Sequence, residues 1–429
     1  MIEARVTRKV AFRLVPILML LYFVAYVDRV NIGFAALTMN EDLGLGAAAF
    51  GLGASLFFLG YFLFEVPSNL LLHRFGARAW LARIMVTWGL VSAAMAFIDS
   101  VAQFYTLRIL LGVAEAGFFP GVIHYLGYWF PARQSARITA WFMAAVPIST
   151  AISSPISGAI LMLDGVAGLK GWQWLFLIEA LPAIVLGVLL PWLLTDRPEK
   201  AKWLSVEERE WLSRELESER GAAESTRQHS VLRALLDPRV LILGLVYFGT
   251  SAGLYTLGIW SPQILAQYGL SPLQTGLLNG IPPTAAVIAM IWWARHSDRH
   301  NERTWHVFIP CVVAAVGLAL ASGAANLAAV VAALVVVNIG ISSAKPPLWS
   351  IPGQFLGGAA AAAGIAAINS IGNLGGFAGP AIIGWLKERT GGYGAGLLCV
   401  AVSLALSAAL VLLFSSRQKN QVIPCASTR

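Results

Sequence analysis

Charge is what this 429-residue chain has least of. Only 12% of its residues are Asp, Glu, Lys or Arg, while 58% are hydrophobic; a soluble domain carries about 25% charged residues. That shortage excludes an ordinary water-soluble globule. Cysteine is as sparse: Cys311, Cys399 and Cys425 stand far apart, so they make neither a disulfide framework nor a metal site. No phosphate-cradling Gly-Lys loop, zinc-ligand spacing or nucleophile elbow occurs. Enzymatic activity, ATP use, metals and bound cofactors are therefore not expected. A ten-residue alternation of apolar and polar positions, the mark of a membrane barrel, is also missing.

The chain has long apolar runs instead. Twelve are legible, near 12–38, 47–72, 81–98, 101–128, 138–162, 172–194, 240–267, 271–295, 305–322, 325–350, 359–387 and 393–414. Each is close to the span of about 20 residues that crosses a bilayer, and helices are expected because lipid leaves no partner for free backbone groups. Pro346, Pro347, Pro352 and the Gly357-Gly358 pair interrupt runs 10 and 11. The first run is too long for a cleavable signal and carries two charges, so it is expected to stay as a span. Of the 30 Lys+Arg, only Lys170, Lys387 and Arg389 fall in outer segments and Arg29, Arg108 and Lys345 within spans. The rest flank the spans on one side, which places both termini in the cytoplasm. The net charge of +8 follows from this bias; the basic loops read as membrane-surface anchors, and no nucleic acid is expected as a partner.

Residues 195–239 form the one long polar stretch, dividing the chain into a first half, 1–194, a linker, and a second half, 240–429, with a short tail. Charges alternating in sign from Glu207 to Arg220 predict a surface helix in the linker. Each half has a basic loop between its second and third spans: Arg74-Phe75-Gly76-Ala77-Arg78 and His296-Ser297-Asp298-Arg299-His300. Six spans, a linker and six spans with matching loops read as two repeats around a midplane site.

Within the spans the few ionisable residues stand out. Asp28 and Arg29 lie side by side in the first run, and either charge at mid-bilayer costs at least about 2.5–3.5 kcal/mol, so such groups mark a pathway or a ligand site. Arg108 and Glu115 are seven residues apart, two helical turns, and so share a face. Lys345 lies beside Pro346-Pro347, and Asn369 and Asn373 share a face four residues apart. Tyr26 and Tyr61 offer hydroxyls. A static ion-pair network, a lysine snorkelling to the interface and asparagines serving as helix glue are the alternative readings. Glu65 precedes Pro67 and reads as a gate or packing partner; His124 and Glu179 read as isolated; Gly112, Gly117 and Gly121 read as close helix contacts.

Three stretches carry a resemblance: Tyr26-Val27-Asp28-Arg29-Val30-Asn31-Ile32-Gly33, Phe64-Glu65-Val66-Pro67-Ser68-Asn69-Leu70-Leu71-Leu72 with Arg74 to Arg78 after it, and Ile368-Asn369-Ser370-Ile371-Gly372-Asn373-Leu374-Gly375-Gly376-Phe377. With Asp298-Arg299 in the second loop, the chain resembles the major facilitator superfamily over nearly its whole length. More narrowly it resembles the anion:cation symporter branch, whose bacterial members carry organic acids. The resemblance implies an all-helical membrane fold, twelve transmembrane helices in two pseudo-symmetric six-helix bundles, in a bacterial inner membrane. It implies proton-coupled uptake of an organic anion by alternating access, with a proton gradient as the energy source and the anion, protons and lipid as partners of a monomer. In that reading Asp28 and Glu115 couple protons, and Arg29, Arg108, Tyr26, Tyr61, Lys345, Asn369 and Asn373 line the substrate site. Arg29 and Lys345 would clamp a dicarboxylate, while Glu65, Arg74, Arg78, Asp298 and Arg299 gate. Tartrate-like hydroxy-dicarboxylates come first, then phthalate-like aromatic acids and hexonates. Span 5 lacks the polar amide that sugar-acid carriers often place there, since Trp141 to Ile148 offers none. Sodium coupling, anion exchange and a sensor that binds without transport remain the rival readings.

Overall fold

A computed structural model describes residues 2–131, 138, 142, 145–224, 237–356 and 358–421. The first part of expected span 5, including Trp141, Met143 and Ala144, lies outside the described residues apart from 138 and 142, as do 225–236 of the linker, Gly357 and Cys425.

The described chain is helical, and it contains no strand. The first half holds α1 (Ile2–Asp42), α2 (Ala47–Phe75), α3 (Ala77–Ala94), α4 (Val101–Glu115), α5 (Phe118–Leu126), α6 (Ala145–Ile160) and α7 (Gly171–Leu193). The linker helix is α8 (Val206–Glu224), where alternating charge predicted one. Then follow α9 (Pro238–Ala266), α10 (Pro272–His300), α11 (Thr304–Ser322), α12 (Leu327–Ser350), α13 (Gly358–Thr390) and α14 (Gly394–Gln421). Among the described residues eleven stretches are long and apolar enough to cross a membrane. Helix α13 carries the expected span 11.

Two local expectations are corrected. Span 4 is two helices, because Gly117 adopts φ 85° between α4 and α5, a left-handed conformation open to glycine without strain. Of the prolines expected to interrupt span 10, Pro346 and Pro347 do not, since α12 runs through them to Ser350, whereas Pro352 lies past its end in a short 3-10 turn at Pro352–Gln354. Neighbouring helices and hydroxyls re-satisfy freed carbonyls inside a membrane bundle, so proline bends a span there without ending it.

The chain divides into two compact units. One comprises Met1–Arg227 with Gly258–Gly280, the other Gln228–Leu257 with Ile281–Arg429. In the first, α2 and α4 cross at backbone contact. A Cβ on Gly60 would meet the Ile109 carbonyl, and one on Gly112 would meet that of Phe57, so small residues set the spacing of the two helices. Linker helix α8 is tied back to α1. Glu208 accepts a 2.8 Å bond from Lys9 Nζ and lies 3.4 Å from Arg5 Nε, while Ser205 and Glu208 cap each other's backbone amides at 2.9 and 3.1 Å. The Lys9 ammonium and the Ser205 amide hold the Glu208 carboxyl below its ordinary range. In the second unit, Val240, Leu243, Tyr247, Cys311, Leu348, Ile368 and Phe414 belong to one buried cluster. Large apolar side chains such as Val66, Leu70, Trp192, Ile288 and Trp292 point outward, the surface a lipid-embedded bundle requires.

Candidate functional site

Helix α1 supplies the centre of the first unit. From Val24 to Ala36 every residue is buried, Asp28 at 1% exposure and Arg29 at 7%. This stretch packs against α6 and α7, and the Arg29 side chain leaves it towards α4. There Arg29 Nε and Nη2 both reach Oε1 of the fully buried Glu115 at 2.6 Å. The guanidinium lies 5.1 Å from the Tyr61 ring and 5.6 Å from the Phe57 ring, which supplies cation–π attraction on its apolar side. A pair this short and dry holds only because charge meets charge: removing one partner of a buried ion pair costs about 3–5 kcal/mol.

Arg108 is placed near the pair but bonds neither acid. Its Nη2 and Nε donate to the carbonyls of Ala54 and Gly53 at 3.1 and 3.4 Å, and its guanidinium lies 5.2 Å from Phe57. Arg108 and Glu115 do share the buried side of α4. Asp28 sits in a different environment from Glu115. Its Oδ1 accepts from the Ser92 hydroxyl of α3 and, at 3.4 Å, from the Asn31 amide. Its Oδ2 is buried and has no hydrogen-bond partner. The hydrogen bonds to Glu115 thus come from a cation and those to Asp28 from neutral donors.

Glu179 corrects the sequence reading that took it as isolated. It is 6% exposed and accepts a 2.6 Å bond from Ser157 of α6. Only the tertiary packing of α7 beside α6 brings it there; the sequence signal was no more than a carboxylate in an apolar run. Ser92, Ser157 and Asn31 were likewise not singled out, since small polar residues in spans are ordinary helix glue.

The remaining expected residues are placed as follows. Tyr61 is buried under Arg29, and Tyr26 is buried with its ring 6.3 Å from Tyr22. Glu65 is buried in α2. Arg78 donates to the Pro191 carbonyl at 3.0 Å and pairs with Asp196 at 3.2 Å, while Arg74 is exposed beside the Phe75 ring. In the second unit, Lys345 is half-buried on α12, and Asn369 and Asn373 are buried on α13. Asp298 pairs with Arg303 at 2.7 Å, and Arg299 is exposed in the last turn of α10. Among the described residues no group of three or more His, Cys, Asp or Glu is placed to hold a metal ion.

Charged groups buried within apolar helices mark a pathway or ligand site in a membrane protein. The comparisons agree. The Major Facilitator Superfamily model matches residues 18–380, and the chain belongs to that superfamily. It is 61% identical over 421 residues to an Agrobacterium vitis protein described as a "Putative tartrate transporter", covering 98% of this chain and 94% of that one. It is 45% identical to a quinolone resistance transporter of Acinetobacter baumannii, with 98% of each chain covered. A bacterial homologue of the human lysosomal transporter Spinster shares the fold, with a TM-score of 0.76 over 96% of this chain and 97% of that one, at 15% identity. The chain is a multi-pass membrane transporter, not an enzyme.

Proposed function

We propose that this transporter imports an organic anion together with protons, and that the anion is a tartrate-like hydroxy-dicarboxylate. The observation that carries the reading is the unequal setting of two buried acids. Arg29 is paired with Glu115, whereas the hydrogen bonds to Asp28 come from a hydroxyl and an amide. Protonation of Glu115 frees the guanidinium, whose fork can hold a substrate carboxylate through both of its oxygens. Asp28 next to it takes up the second proton and keeps the pocket from becoming net negative when the anion enters. Tyr61, stacked near Arg29, is suited to reading a hydroxyl. Arg108, bound to two α2 carbonyls, steadies α2 against α4 and lends the site positive potential. Lys345, Asn369 and Asn373 serve as anion and hydroxyl contacts of the second half.

The two A. vitis relatives, 61% and 62% identical, support the substrate class through their descriptions. The positive-inside bias supports cytoplasmic termini, in a bacterial inner membrane. In this reading 1–194 and 240–429 alternate access as a monomer, joined by the 195–239 linker, with no cofactor and the proton gradient as the energy source. Glu65, Arg74, Arg78, Asp298 and Arg299 gate the cytoplasmic side.

The test is uptake of a labelled panel of tartrate, phthalate and hexonates into proteoliposomes, with and without an inward proton gradient. Tartrate is expected to accumulate against its gradient in the wild type and to equilibrate at most in Asp28→Asn. Gradient-independent accumulation that survives Asp28→Asn would reject proton coupling in favour of sodium coupling or exchange. Gradient-driven accumulation of phthalate alone would move the substrate class.

A further inference from the structure

We propose that His296 and His306 form a clasp between α10 and α11 that acid releases, slowing transport as the cytoplasm acidifies. The clasp needs neither proton coupling nor a particular substrate; it takes only the orientation argued above, in which this end of the two helices is cytoplasmic. His296 lies one turn before the end of α10, and His306 lies in the first turn of α11. His296 Nδ1 and His306 Nε2 are 2.7 Å apart. On its other side His306 Nδ1 lies 2.6 Å from Glu302 Oε2. The same carboxylate caps α11, accepting from the Trp305 and His306 amides at 2.8 and 3.2 Å. The Trp293 indole donates to the His306 carbonyl at 2.9 Å. Between the helices, Ser297 donates to the Glu302 carbonyl at 2.6 Å, and Arg303 lies 2.7 Å from both Ser297 Oγ and Asp298 Oδ1.

These partners fix where the protons sit. A carboxylate only accepts, so His306 donates from Nδ1 to Glu302 and, while neutral, accepts at Nε2 from His296 Nδ1. The donors thus point one way, from His296 to His306 to Glu302. One added proton fits on His296 Nε2 and makes the contact charge-assisted. A second can enter only at His306 Nε2, where it sets two N–H groups head to head between two cations. The contact therefore holds at most one positive ring, and both rings become charged only by parting. Glu302 offsets one charge. The other groups on α10 beside His296 are basic: Arg295, Arg299 and His300, whose ring lies 4.2 Å from that of His296 and whose Nδ1 donates to the His296 carbonyl at 2.9 Å. Asp298 is taken by Arg303. Of the helices packed on α11, α12 has Lys345 as its one charged residue, and α14 has none from Gly394 to Ser415. An ordinary imidazole takes its proton near about pH 6.5, so the first proton enters in that range and the second below it. His296 then leaves His306, and the loop carrying Asp298 and Arg299, the gate residues proposed above, loses that tie to α11.

Two readouts test the clasp in the wild type and in His296→Gln, whose amide can donate to His306 but takes no proton. The first is amide exchange of residues 297–303 in detergent between about pH 7.5 and about pH 5, corrected for the intrinsic pH dependence of exchange. The wild-type loop is expected to lose protection severalfold at the acid end, and the His296→Gln loop to keep it. A wild-type loop equally protected at both ends overturns the clasp, and that arm stands even if the variant fails to fold. The second readout is exchange of labelled for unlabelled acid in right-side-out membrane vesicles, where no net gradient drives the flux. The acid is whichever of tartrate, phthalate and hexonate the wild type carries. Lowering the internal pH with the external pH held is expected to slow the wild type severalfold and His296→Gln much less. Equal slowing of the two overturns the regulatory role. Slowing by external acid instead, relieved by His296→Gln, upholds the clasp and reverses the orientation.

Discussion

At the residue scale, the site is decided by which neutral or charged partner each buried acid has. Glu115 is bound by Arg29 through two nitrogens on one oxygen. Arg29→Ala should abolish uptake and also destabilise the first half by about 3–5 kcal/mol, because it strands a buried carboxylate. Adding Glu115→Gln to Arg29→Ala should restore most of the stability without restoring transport, read by thermal unfolding in detergent beside uptake. Recovery of uptake in the double variant would remove Arg29 from the substrate site. Arg29→Lys should also transport poorly, since an ammonium lacks the fork that serves a carboxylate bidentately.

At the element scale, glycines and caps set where the charged residues stand. The α2–α4 crossing depends on Gly60 and Gly112, where any added Cβ would meet backbone of the facing helix. Gly112→Val should push α4 from α2 and move Glu115 away from Arg29. The expected outcome is transport lost by more than tenfold, about 1.4 kcal/mol or more of misplacement in the site, with the protein still inserted; an unchanged rate would show the spacing to be slack. Linker helix α8 is fixed differently, by the Ser205–Glu208 box and the bonds of Glu208 to Lys9 and Arg5. Glu208 has its carboxyl held below the ordinary value. The stability it adds is therefore present above the unfolded-state value near 4.5 and is lost as pH falls through the lower folded-state value. Glu208→Gln should imitate that acid loosening at neutral pH. Removing a cap costs about 1 kcal/mol, and amide exchange of α8 should rise severalfold while the spans stay protected.

At the scale of the whole molecule, energy coupling separates the candidate substrates. The membrane potential supplies about 2.3 kcal/mol per net charge per 100 mV, and a pH gradient about 1.4 kcal/mol per unit for each proton. Two protons with a tartrate dianion move no net charge, so imposed voltage should leave its accumulation ratio unchanged. Two protons with a monocarboxylate move one positive charge, and accumulation should rise about fiftyfold per 100 mV. Measuring the accumulation ratio under a potassium-diffusion potential tests this. Voltage-driven tartrate uptake would mean more than two protons or a different coupling ion.

Much of this protein was legible in the sequence, because a bilayer imposes one-dimensional rules. Apolar run length marks the spans, the side on which Lys and Arg gather sets the expected orientation, and a charge within a run such as Asp28-Arg29 stands out where insertion is costly. Those rules act residue by residue and need no knowledge of neighbours. They do not say which charges meet. Arg108 and Glu115 share a face in the sequence, yet Arg108 spends its donors on the Gly53 and Ala54 carbonyls. Glu179, alone in its run, meets Ser157 because α7 packs beside α6. The break at Gly117 and the unbroken course of α12 through Pro346-Pro347 were also settled by packing. The sequence determined the class, the spans and the identity of the buried charged residues, since these follow from transfer into lipid. The tertiary structure alone decided their partners, since hydrogen-bond geometry between helices depends on crossing and rotation, which no spacing along one chain encodes.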